Sequence, residues 1–148
     1  MANVANLREA VRLTIESLPF FNYYYGAIDD INNATETHYL GTLLPVTAKV
    51  QLTANEIAIN TYSLQIVFAK AIDADNNTAI QAEYLNELEI AVNTFLYRFN
   101  QNYPDYQMQN IGWTEEGNWG KFKTQSSVIL LKFDVLIAQE IDCYTFEL

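Results

Sequence analysis

Asp73, Asp75 and Asn77 stand at alternate positions, the spacing that opens a calcium loop, where side-chain oxygens must converge on one ion. The rest of such a loop is missing. Thr78 stands where the sharp-turn glycine is needed and Tyr84 where the closing bidentate Glu should be, so these residues read as a strand-to-helix turn with capping acids. Glu115 and Glu116, close in sequence to Trp113 and Trp119, have the composition of a glycosidase site, where one carboxyl protonates the leaving group and the other acts as base or nucleophile. Adjacent glutamates at a hairpin tip are normally solvated, and nothing nearby suggests burial that would raise one pKa. His38 lacks a Ser or Cys partner in a nucleophile motif, and Cys143 has no local signature, so a strand-end His and a packed Cys are the readings. Five scattered glycines form no phosphate loop. These residues predict no catalytic group, no metal and no cofactor.

Composition narrows the classes further. The chain has 148 residues, half of them hydrophobic, which predicts one domain with a substantial core. With 18 acids against 8 bases the formal net charge is -10, which argues against a surface that grips a phosphate backbone. The acids are dispersed, so the charge belongs to a folded surface. The start, with Arg8, Glu9 and Arg12, lacks the apolar stretch of a signal peptide, and no apolar run approaches a membrane span. A single cysteine cannot form an internal disulfide, which suggests a reducing compartment. Asn33-Ala34-Thr35 and Asn76-Asn77-Thr78 match the glycosylation sequon, and without a signal peptide they are chance matches.

The element expected to organise the chain is a helix over Thr78 to Asn100. Leu85, Leu88, Val92, Phe95 and Phe99 recur there at helical spacing, and at about 1.5 Å per residue the helix is long enough to cross a sheet. Thr78 and Gln81 have capping-box spacing, Asp73 and Asp75 lie near the positive dipole end, and Arg98 near the negative end. Val4, Leu7, Val11, Ile15 and Leu18 predict a shorter helix from Asn3 to Leu18, stopped by Pro19.

The next block places Phe20, Phe21, Tyr23, Tyr24 and Tyr25 in an irregular segment, whose rings cover a core edge or an interface. His38 to Val46 reads as a strand that either ends at Pro45 or tolerates it at an edge position, and Thr47 to Asn55 is ambiguous. Glu56 to Ala71 is a strong strand in which Tyr62, Leu64, Ile66 and Phe68 form one face. The phase set by Ile57 and Ile59 changes near Asn60, as an inserted residue would make it do. Tyr106 to Trp113 and Ser127 to Ala138 predict a hairpin, with a possible edge strand after it. Its connection, TEEGNWGKFK from Thr114 to Lys123, is longer than a hairpin needs and displays Trp119 and Phe122. It either docks on a partner with Trp119 as anchor or folds back onto the sheet. The resulting fold class is α+β: a single antiparallel or mixed sheet with one long helix packed across it and a shorter N-terminal helix, whose exposed edges favour self-association.

This order of elements resembles the tail terminator and tail-completion proteins of tailed bacteriophages, a family related in fold to head-to-tail joining proteins. The resemblance rests on Leu18-Pro19-Phe20-Phe21-Asn22-Tyr23 after a first helix, on Ile28-Asp29-Asp30-Ile31-Asn32, and on Leu43-Leu44-Pro45-Val46 ending a strand. Phe133-Asp134-Val135 and Ile141-Asp142-Cys143 add to it. Leu40 departs from it, since a Pro often follows the strand-opening aromatic in that family. The resemblance implies a non-enzymatic virion component that assembles as a hexameric ring, caps the tail tube and meets the neck, with no catalytic residues to carry over. The aromatic block and the long connection are the expected interfaces, at Phe20, Phe21, Tyr23, Tyr24, Tyr25, Glu115, Glu116, Trp119 and Phe122, and the resemblance implies DNA only in transit through an acidic channel. Two other classes fit the composition. An acidic DNA mimic would arrange its acids in stripes, whereas a small ligand-binding α+β domain would need a pocket.

Overall fold

The computed structural model describes residues 3–26, 39–55, 57–71, 78–116 and 126–140. The elements are α1 (Val4–Glu16), β1 (Phe21–Tyr25), β2 (Tyr39–Leu43), β3 (Thr47–Leu52), β4 (Ile57–Ala71), α2 (Thr78–Asn102), β5 (Gln107–Glu116) and β6 (Ser126–Glu140). They form an α+β fold with a mixed six-stranded sheet of order β1-β2-β4-β6-β5, and β3 pairs with the free part of β4. Among the described strands only β1 and β2 run parallel, and every other pair is antiparallel.

Alternation along the two 15-residue strands sets the sheet's faces. Leu64, Ile66 and Phe68 of β4 lie beside Phe133, Leu131 and Ile129 of β6, all buried with Leu7, Val11 and Ile15 of α1 and Leu88, Val92, Phe95 and Phe99 of α2. The opposite face carries a smaller buried cluster of Leu40, Val67, Ala69 and Val128. Aromatic rings join the helices to the sheet. Phe95 meets Phe68 edge-on at 5.8 Å between centroids and stacks on Phe99 at 5.6 Å, and Phe99 meets Phe133 edge-on at 5.8 Å. The chain of contacts runs on through Phe21 to Tyr39 on one side and to Tyr106 on the other.

Both helices are placed by local chemistry. The Asn3 side chain accepts from the Asn6 N–H at 2.9 Å, starting α1 one residue later than the periodicity implies. Arg98 was expected to serve the negative end of its own helix, but it reaches the other one. Its guanidinium donates to the Ser17 carbonyl at 2.7 Å and hydroxyl at 3.2 Å, so it sits at the C-terminal end of α1 and ties the two helices together. α1 also approaches β2 closely. A Cβ on Gly41 would stand 2.6 Å from Cγ2 of Ile15, so only glycine leaves room for the helix there.

Three expectations are corrected. Phe21 to Tyr25 is a strand, not an irregular segment, because both of its faces find partners: Phe21 and Tyr23 pack on the main core and Tyr24 on the opposite cluster. No bulge occurs at Asn60, where the ladders to β3 and β6 run unbroken. Ile57 and Ile59 simply occupy the other face from Tyr62 and Leu64. The extra residue is on the partner side instead, since Leu44 to Val46 stand opposite only Leu64 and Gln65. Pro45, lacking an N–H, sits in that bulge and divides one edge into β2 and β3. Third, Glu115 and Glu116 belong to β5 rather than to a hairpin tip. The expectations for His38, Asp73, Asp75, Asn77, Cys143, Trp119, Phe122 and the stretches Ile28–Asn32 and Ile141–Cys143, and for the side chains of Thr78 and Gln81, lie outside the described residues.

Phe95→Ala should cost about 3 to 5 kcal/mol and Leu88→Ala about 2 to 5 kcal/mol, since each empties a fully buried position. Urea denaturation checks this, and parent-like midpoints would contradict the packing. Gly41→Ala should cost about 1 to 3 kcal/mol by driving Ile15 off the sheet. A variant as stable as the parent would mean that α1 shifts freely.

Candidate interaction surfaces

The aromatic block expected to form an interface is divided by its geometry. Phe21 and Tyr23 are half-buried on the helix-bearing face, and Tyr24 turns to the other face. Tyr25 is partly exposed, with the Arg8 guanidinium 5.1 Å above its ring and donating to its hydroxyl at 3.3 Å. Phe20 is different. It is 79% exposed and holds a φ of 69°, a backbone conformation that bulky side chains rarely adopt, so a strained turn after Pro19 presents this ring to solvent.

Phe20 borders a groove of about 360 Å³ between the α1–β1 turn and α2. Leu18, Phe21, Tyr39, Ile90 and Ala91 supply apolar walls, and Glu87 is its one acidic residue. Along the exposed side of α2, Ile90 and Tyr97 extend this apolar character at helical spacing. On the sheet beside it, the Lys70 ammonium lies 5.0 Å from the Tyr39 ring and 5.8 Å from that of Tyr84.

Besides β1, which ends the sheet next to β2, two exposed strands stand on opposite sides of the sheet. All six residues of β3 are exposed, with Val50 at 60% and Leu52 at 70%. β5 is exposed apart from Met108, and Ile111 and Trp113 are among its solvent-facing side chains. A bulge interrupts β5, where Asn110 and Ile111 stand opposite Phe133 alone. Asn110 takes a φ of 53°, which asparagine tolerates, and its amide donates to Asp134 at 2.9 Å while Ser63 donates to the other carboxylate oxygen at 2.8 Å.

Above the bulge, Glu115 pairs with Ile129 and Glu116 with Val128, residues on opposite faces of the sheet. The two carboxylates therefore project away from each other and cannot flank one glycosidic bond. Trp113, opposite Leu131, shares the face of Glu115. β3 alternates Ala48, Val50 and Leu52 with Thr47, Lys49 and Gln51, but neither row is buried, so the segment reads ambiguously in the sequence. Phe20 was visible as an aromatic, but its strained backbone was not.

Titration behaviour follows burial. The Tyr23 hydroxyl is pushed up to about 12 chiefly by burial, reinforced by Tyr25 and opposed by Arg8 and Arg12. Burial likewise raises Tyr106. A hydrogen bond from Arg12 holds the Glu9 carboxyl below its ordinary range, in an exposed ion-pair set that includes Glu16. Because folding keeps Tyr23 neutral, its contribution is intact below the ordinary tyrosine value of about 10 and is lost as pH rises toward about 12. Tyr23→Phe should thus flatten the loss of stability between those two values, measured by urea denaturation at stepped pH. A slope equal to the parent's would contradict this.

Among the described residues no helix is long and apolar enough to cross a membrane. No family model matches the chain, and no curated protein matches it.

Proposed function

We propose that the chain is a non-enzymatic structural subunit that assembles with copies of itself into a ring. The observation that carries this reading is the pair of exposed strands, β3 and β5, at opposite sides of one sheet. Unpaired edges bearing Val50, Leu52, Ile111 and Trp113 are templates for further pairing, and because the two edges differ, repeated contacts of one kind build rings or filaments. On this reading α2 lies across the sheet as the stiff spine of each protomer. The resemblance to tail terminator and head-to-tail joining proteins gives the ring a place in the virion of a tailed phage, as a hexamer capping the tail tube and meeting the neck. A net charge of -10 supports a channel through which DNA passes without adhering. The groove beside Phe20, with its strained, displayed ring, supplies a docking point for the tube or neck protein.

The same groove favours a second reading, a small ligand-binding domain, since its volume and apolar walls suit a compact apolar molecule. Mass photometry and sedimentation at micromolar concentration, with negative-stain images of the protein alone and mixed with tail-tube protein, distinguish the two. Rings are expected. A monomer under every condition overturns the ring and leaves the ligand-binding reading.

A further inference from the structure

The two exposed edges match each other in direction, face and charge. β4 and β5 both run antiparallel to β6, and β3 runs antiparallel to β4, so β3 is antiparallel to β5. Two protomers set side by side in the same orientation therefore bring β5 of one against β3 of the next as an antiparallel pair, continuing the alternation already present in β3, β4, β6 and β5. The faces agree as well. Val50 and Leu52 stand opposite Asn60 and Ala58, on the side of the sheet that bears the helices, and Trp113 lies on that same side through Leu131. Lys49 is opposite Thr61 and Glu116 opposite Val128, both on the other side.

We propose that Trp113–Glu116 of β5 in one copy pairs with Lys49–Leu52 of β3 in the next. In this register Trp113 faces Leu52 and Glu116 faces Lys49, an apolar contact on the helix-bearing face and an ion pair on the other. A lysine on an otherwise uncharged edge discourages indiscriminate pairing, and the Glu115–Glu116 end of β5 answers it, so one charge sets both partner and register. The outline of the sheet fits this. β1 and β2 extend the sheet beside Ile66 to Lys70, whereas beside Ala58 to Ser63 it ends at β3, which leaves a step. β5 of a neighbour enters that step only when displaced along the strands, and a closed barrel likewise requires a stagger between its strands. The Asn110 bulge lies outside the paired segment and keeps the rest of β5 from joining it.

The inference rests on the ring reading, and the test separates the two. Sedimentation of the parent, Lys49→Glu, Glu116→Lys and the double exchange is compared over a range of protein concentrations. Each single variant should raise the concentration for half-assembly at least about tenfold, because like charges then face each other across the new ladder. The double exchange should restore assembly. Glu116→Lys is the sharper case, since it makes an acidic chain less negative and would strengthen association if general repulsion were the control. Single variants that assemble like the parent, or a double exchange that fails to recover, overturn the edge pairing while leaving the ring standing. A parent that never assembles overturns both.

Discussion

The ring-on-ring contacts between α2 and the sheet are the constraint from which the remaining geometry follows. Phe95 and Phe99 touch Phe68 on β4 and Phe133 on β6, so a single helix turn is registered against two neighbouring strands at once. Offset and edge-on rings tolerate little sliding, since moving one spoils several contacts together. Beside α2 on the same face, α1 packs over β1 and β2. It reaches that place because Gly41 presents no side chain, and Arg98 holds the end of α1 from the neighbouring helix.

α1 packs over β1 and β2 and α2 over β4 and β6, which leaves β3 and β5 uncovered. β3 has no helix above it, and β5 is exposed on both faces for most of its length. The margins are not uniform, however. Pro45 breaks one side into two strands, and Asn110 puts a kink in the other. Interruptions of this kind restrict where an edge can accept another strand, which is how a protein with open edges avoids unlimited aggregation. The physical basis of the assembly reading is therefore a core that is too narrow for its sheet.

What the sequence disclosed follows from which residues have one buried side. α1 and α2 were legible because the buried residues of each recur at helical spacing, and β4 and β6 because Leu64, Ile66, Phe68, Leu131 and Phe133 alternate with other positions. β1 was not. Phe21, Tyr23 and Tyr24 find partners on both faces, so its aromatic run carries no period of two. β3 failed for the opposite reason, having no buried face at all. The phase change near Asn60 was real as a pattern but misassigned, because Ile57 and Ile59 are apolar on the outer side. Of the expected surface residues, Phe20 is displayed, Phe21, Tyr23 and Tyr24 serve packing, and Glu115 and Glu116 are parted by the pleat. The step between β2 and β3, which shapes the margin, depends on register and has no local signature.

The central pair of the sheet joins Ile57 to Glu140 at one end and Ala71 to Ser126 at the other, with α2 and β5 lying between them in the chain. The contacts of Phe95 and Phe99 with Phe133 therefore wait for a strand made last among the described elements. During synthesis α1, β1 to β4 and α2 leave the ribosome before β6 exists to receive Phe95 and Phe99. Until then the whole edge of β4 that β6 will occupy stays open, so the nascent chain passes through a period in which that edge can accept a wrong strand.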